Sequence, residues 1–228
     1  MLRAHRFVTG LAGGCALLLL ATLVTACAPP QYTYIADSSA ATYFKVPHYW
    51  QQVSPADLCT AIEEMANAKT CPTDWTIAYG DSHDPSGLGL QAWNLSQPFA
   101  YSQVSPYTSS SGTALTDETL QDYYLPFTAE GRENAAETAA ESGEPYPLTG
   151  FKQLRDASIR LSGGYYGFRE TYDYTYPGGL ADTFDEDILT NADGTTIYFL
   201  IVHCTTSCYS QDQAAIDAVM SSFTVRSP

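Results

Sequence analysis

Thr195-Thr-Ile-Tyr-Phe-Leu-Ile-Val-His203 is the run from which the architecture can be read. Its residues are almost all β-branched, aromatic or aliphatic, and the turn Asn191-Ala-Asp193-Gly194 precedes it. A run without polar alternation predicts a strand buried on both faces, which belongs in the middle of a sheet covered on each side. The following segment supplies a cover. Ser210 with Gln213 has the spacing of a reciprocal helix cap, and Ile216, Val219, Met220 and Phe223 then form one apolar stripe. Thr224-Val-Arg226 closes the chain as a short strand.

Working upstream, Tyr165 to Tyr176 reads as a long strand and Asp156 to Leu161 as its neighbour across the turn Gly163-Gly164. Alternation places Phe168, Glu170, Tyr172, Tyr174 and Tyr176 on one face of the long strand. Near the start, Thr42 to Val46 reads as a strand stopped by Pro47. Ser54-Pro55-Ala-Asp57 opens a helix whose stripe is Leu58, Ile62, Met65 and Ala66. Trp75 to Tyr79 and Gly89 to Trp93 are expected strands, and Thr116 should cap a short helix reaching Tyr124. Residues 94–115 show little pattern, and 128–149 read as an excursion carrying little core, with a like-charged row at Glu133, Glu137 and Glu141. The expected architecture is therefore α+β, an antiparallel sheet with helices packed on its faces. It forms a single domain over 42–228, with a poorly patterned insertion around 94–155.

The chain has 228 residues, enough for a substantial core, and 25 acidic against 10 basic side chains give a net charge of -15. Such an excess of acid repels phosphate backbones and excludes nucleic-acid binding. A hydrophobic share of 45% excludes disorder throughout.

The amino end carries an address. Arg3, His5 and Arg6 precede an uncharged run from Phe7 to Ala26, the pattern of a secretory signal. Leu23-Val24-Thr25-Ala26-Cys27 resembles the lipobox of bacterial lipoproteins. The resemblance implies a signal peptide over 1–26, cleavage before Cys27, and a diacylglyceryl group on its thiol. The protein would then be anchored to the cell membrane on its extracytoplasmic face, since two acyl chains hold where one does not. Cys15 has too short an apolar run before it to serve instead. Residues 27–41, with Pro29-Pro30 and small polar residues, read as the lipidated cysteine and a solvated tether. Without Arg3 and Arg6 the mature chain carries 25 acidic and 8 basic residues, or -17.

Four cysteines remain beyond Cys27: Cys59, Cys71, Cys204 and Cys208. An even number outside the cytoplasm predicts two disulfides, with three possible pairings. Proximity favours Cys59–Cys71 and Cys204–Cys208; the cross-pairings would tie the two ends of the domain together. Neither pair has the Cys-x-x-Cys spacing of a zinc knuckle or a redox motif.

The run Phe44-Lys-Val-Pro47 with Trp50, a Gly-rich strand pair, and a final hydrophobic strand, helix and Ser222-Phe223 close resemble actinobacterial lipoproteins of the LpqN type. That resemblance covers about 41–53 and 156–226. It implies the Mog1/PsbP-like α/β/α sandwich and a non-catalytic accessory or binding role in the cell envelope. No residue role carries over, and the two disulfides and residues 72–155 depart from the pattern.

Phosphate loops, nucleophile elbows and metalloprotease helices are absent from the sequence. The loop Asp81-Ser82-His83-Asp84 holds the residue types of a hydrolase or metal-dependent centre and is the alternative, catalytic reading. Sequence neighbours rarely converge as a triad does, so turn capping is its ordinary role. Asp182, Asp185, Glu186, Asp187 and Asp193 crowd one segment, and oxygen-rich loops can bind calcium. Their spacing does not fit a calcium loop, and an acidic hairpin in water accounts for them. His203 reads as a core or edge histidine. Tyr166, Tyr172, Tyr174 and Tyr176 are the candidate ligand-binding residues, since aromatic faces stack on sugars or cover acyl chains. The expectation is a membrane-anchored, non-enzymatic binding protein with no cofactor and no metal. Its partner would be an envelope lipid, a glycan or a protein.

Overall fold

The computed structural model describes residues 30–66, 74–82, 85–108, 114–143 and 145–226. Residues 31–228 form one compact unit. Its strands are β1 (Tyr32–Asp37), β2 (Thr42–Pro47), β3 (Gln51–Gln52), β4 (Trp75–Gly80), β5 (Phe99–Pro106), β6 (Thr149–Arg160), β7 (Tyr166–Thr175), β8 (Ala181–Thr190), β9 (Thr196–Thr205) and β10 (Thr224–Val225). Its helices are α1 (Pro55–Ala66), α2 (Asp117–Gln121), α3 (Ala129–Ser142) and α4 (Thr206–Met220).

A seven-stranded sheet runs β3-β4-β5-β9-β8-β7-β6, with every pair antiparallel. The apolar run that ends at His203 lies in its middle strand, β9, where Ile197 through Cys204 are all buried. Alternation splits the strand between two cores. Tyr198, Leu200 and Val202 pack with Ile216, Val219 and Met220 of α4 and with a small β1-β2-β10 sheet, forming the α4 face. Ile197, Phe199 and Ile201 pack with Leu58 and Ile62 of α1, Leu90, Leu120 of α2 and Phe127, forming the α2 face. The expected α+β architecture, an antiparallel sheet with helices packed on both faces, is the observed one.

Several elements differ from expectation for identifiable reasons. Residues 32–37 pair with β2 as a hairpin, so the segment read as tether already belongs to the domain. Gly89 to Trp93 is not a strand. A 3-10 turn, Gly87–Leu90, begins under the Ser86 hydroxyl, and a Cβ on Gly89 would come within 2.3 Å of the Phe99 ring. β5 falls inside the segment without pattern and lies beside the central strand. Its Phe99 to Ser102 are buried on both faces, so polar alternation is lost, and Ser102 donates to the Phe199 carbonyl at 2.8 Å. α4 begins at Thr206 rather than near Ser210, because β9 runs to Thr205 and the Thr205 hydroxyl caps Cys208 N. Residues 129–142 form a helix capped by Thr128 and by Gly143 at φ 80°, with no buried residue, so the Glu133, Glu137 and Glu141 row faces water.

Candidate functional site

The α2 face carries registered rows of side chains running across the strands. Tyr172, Phe184, His203 and Phe99 stand opposite one another on β7, β8, β9 and β5. Their ring centroids are 5.5, 5.3 and 5.9 Å apart in that order, and the Phe184 and His203 planes differ by only 10°. Cross-strand aromatic pairing of this kind fixes register and leaves the rings little freedom. The adjacent row is Glu170, Glu186, Ile201 and Tyr101.

Two segments cover these rows: Gly87 to Trp93, and α2 with the chain through Phe127. Between them lies a cleft of about 270 Å³ with Phe184 and His203 on its floor and Leu90, Trp93, Tyr124 and Leu125 on its walls. Trp93 is stacked on Tyr176 at 4.8 Å and meets Phe184 edge-on at 5.3 Å. The Tyr124 hydroxyl donates to the Leu90 carbonyl at 2.9 Å, joining the two walls. Asp122 holds the second wall: its carboxylate accepts from Phe127 N, Thr128 N and Thr128 Oγ1, each at 2.7 Å.

His203 Nε2 lies 3.1 Å from the Gly89 carbonyl. A carbonyl only accepts, so Nε2 carries the proton and Nδ1 is a bare acceptor, which has no partner. Burial pushes the imidazole down to about 4, so it is neutral at physiological pH. The row beside it holds two buried acids. Glu170 and Glu186 are 0% and 1% exposed. Their carboxyls touch, yet neither Glu170 oxygen, nor Glu186 Oε2, nor Tyr172 Oη makes a hydrogen bond of ordinary geometry. Burial pushes Glu170 up to about 8; burial and then the Glu170 charge push Glu186 well above the carboxylate range.

Of the five acids expected in a hydrated hairpin, Asp182, Asp185, Glu186 and Asp187 are in fact buried on β8, while Asp193 is exposed in the turn that follows. Alternation sends Asp185 and Asp187 to the α4 face. There Asp185 accepts from Tyr209 Oη at 2.7 Å, and Asp187 is held by both nitrogens of an Arg169 fork. Asp182 and Glu186 point the other way, with Asp182 accepting from Asn94 N at 2.9 Å. A set divided between two faces of a sheet is not a calcium loop.

The four candidate tyrosines do not converge. Tyr172 and Tyr174 are core residues, 0% and 1% exposed, and Tyr174 donates to the Pro126 carbonyl. Tyr166 lies at the other end of β7 near Arg160, and of the four only Tyr176 reaches the cleft, through Trp93. Asp81 and Ser82 line a separate cleft of about 230 Å³ with Leu88 and Phe99, and burial pushes the Asp81 carboxyl up. His83 and Asp84 lie outside the described residues, as do Cys27 and Cys71. Cys204 and Cys208 are joined, with Cα atoms 5.9 Å apart. The cleft residues Trp93, Tyr124 and Phe184 escaped the sequence reading because their approach depends on loop placement. Glu170 gave one signal, an acid within an aromatic face.

No family model matches the chain, and no curated protein matches it in sequence. Among solved structures it is similar to cyanobacterial PsbP from Synechocystis, at 14% identity and a TM-score of 0.47, covering 88% of this chain and 96% of that one. It is also similar to LpqN of Mycobacterium tuberculosis, described as involved in cell envelope biogenesis, at 13% identity and 0.45, covering 86% and 90%. A third similar structure is the Ran-binding protein Mog1p of Saccharomyces cerevisiae, at 10% identity and 0.42, covering 85% and 95%.

Proposed function

We propose that this chain is a lipid-anchored, extracytoplasmic, non-catalytic binding protein whose ligand enters the cleft between Leu90–Trp93 and Tyr124-Leu125. The observation that carries this reading is the cleft itself, an aromatic concavity whose rings are fixed by stacking and by the Tyr124 to Leu90 bond. At about 270 Å³ it sits at the lower end of small-molecule sites, room for one ring or a short acyl segment of an envelope component. Its floor imidazole is neutral and tied to Gly89, which suits binding better than proton transfer. Anchoring rests on the lipobox at Leu23 to Cys27.

The test is capture of envelope lipids or glycolipids by the purified mature protein. Trp93→Ala removes a wall of the cleft and should lower retention at least tenfold while circular dichroism stays unchanged. Equal retention by that variant would sink the assignment of the cleft.

A further inference from the structure

The seven-stranded sheet has two unlike edges. One is β3, only two residues long; the other is β6, with twelve. All of β6 is exposed except Phe151 and Ile159, which are half-buried, and among the described residues no strand pairs with its outer side. An open edge presents a row of unpaired N–H and C=O groups to any extended chain. Register shifts between Thr149 and Lys152 and between Gln153 and Arg155 blunt its first half, a common guard against chance pairing. From Arg155 to Arg160 the register against β7 is unbroken, over six residues, the length of an ordinary strand. Beyond residue 26 the chain has eight basic residues, and three of them, Lys152, Arg155 and Arg160, stand on β6 with one acid, Asp156. Lys152 lies 3.8 Å from Asp173, but Arg155 and Arg160 have no carboxylate within ion-pair reach among the described residues. Arg155 is opposite Thr171 and Arg160 opposite Tyr166, so the two flank the edge on the α4 and α2 faces respectively.

We infer that Arg155–Arg160 takes up an extended acidic segment of a partner protein as an eighth, antiparallel strand. Main-chain bonds hold it and side chains select it. Antiparallel addition continues the pattern of every other pair in this sheet. Charge decides against a second copy of this chain, because pairing β6 with itself sets three basic residues and one acid against the same set. Register fixes the pattern of the incoming strand. It carries two acids five residues apart, one opposite each arginine and on opposite faces. An apolar residue belongs opposite Ile159, which packs against the α4-face core.

The test adds the labelled peptide Thr-Glu-Val-Thr-Val-Thr-Glu-Thr, blocked at both ends, to the purified mature protein and follows fluorescence anisotropy. Saturable binding that weakens with salt is expected, even though protein and peptide are both acidic. A peptide of the same composition, with its glutamates adjacent at the centre, should bind about tenfold more weakly. The double variant Arg155→Gln/Arg160→Gln should lose a similar factor for the first peptide, with its melting temperature unchanged because both side chains are exposed. With peptide bound, hydrogen exchange should slow at alternate amides between 155 and 160, those that face away from β7. Equal binding of the two peptides, full binding by the double variant, or binding that leaves those amides unprotected would overturn the assignment. So would a dimer of the mature protein alone whose contact protects the same amides.

Discussion

Arg169 joins three parts of the α4 face. Its guanidinium holds Asp187 through both carboxylate oxygens and donates to the carbonyl of Met220, the last residue of α4, at 2.6 Å. A cation at a helix C-terminus also opposes the helix dipole. Asp187 is 1% exposed, so removing the arginine leaves a carboxyl stranded in the core. Arg169→Met should therefore lower unfolding free energy by about 3–5 kcal/mol in urea titrations. Adding Asp187→Asn to that variant should recover part of the loss, because the uncompensated charge is then gone. None of this was legible from the run Asp182 to Asp187 alone. An acidic string reads as hydrated until a distant strand and helix bring Arg169, Thr171 and Tyr209 to it.

The segment from α2 to the start of α3 is organised by one side chain. Asp122 collects three donors at 2.7 Å, the Thr128 hydroxyl in turn caps α3, and a Cβ on Gly131 would come within 2.2 Å of the Asp122 carboxylate. Asp122→Ala should cost about 2–3 kcal/mol, since it leaves several polar groups without partners. It should also weaken ligand retention at the cleft, because Tyr124 and Leu125 would lose their support. Hydrogen exchange checks this: faster exchange confined to 117–131, with β9 still protected, is the expected pattern. At this scale the sequence was readable wherever local chemistry governs. The Ser54-Pro55 start of α1 and the strand of Tyr166–Thr175 follow from capping and alternation. β5 did not follow, because a strand buried on both faces beside the sheet centre carries Ala and Ser where close packing requires small residues.

The whole molecule should respond to pH against the ordinary direction. Burial raises Glu170 to about 8 and Asp187 to about 6, and also raises Glu186, Asp185 and Asp182. A carboxyl whose folded value lies above its unfolded one stabilises fully below the unfolded value. That contribution is lost as pH rises through the folded value. The melting temperature should be highest near pH 4, about the unfolded carboxyl values, and fall as pH rises through 6 and 8. Glu170→Gln should flatten the decline, recovering roughly 2–4 kcal/mol at the alkaline end. A melting temperature independent of pH over that range would contradict the burial of the pair. Cys27→Ala should move the protein from the detergent phase to the aqueous phase; unchanged partitioning would count against the anchor.

The class of fold was written in the sequence, because apolar periodicity is local: Ile197 to Val202 reads as a covered central strand and Tyr166–Thr175 as a long alternating one, while the place of the second strand, two away from the first, came from the sheet order. The sequence also makes the domain strongly acidic, at -17 from residue 27 onward. What the acids and aromatics do was set by the folded arrangement. Strand register placed Glu170 against Glu186 and Tyr172 against Phe184, and two loops far apart in sequence closed Trp93 and Tyr124 over them. A residue's chemistry is set by burial and by neighbours that the chain supplies from a distance, and no local pattern encodes either.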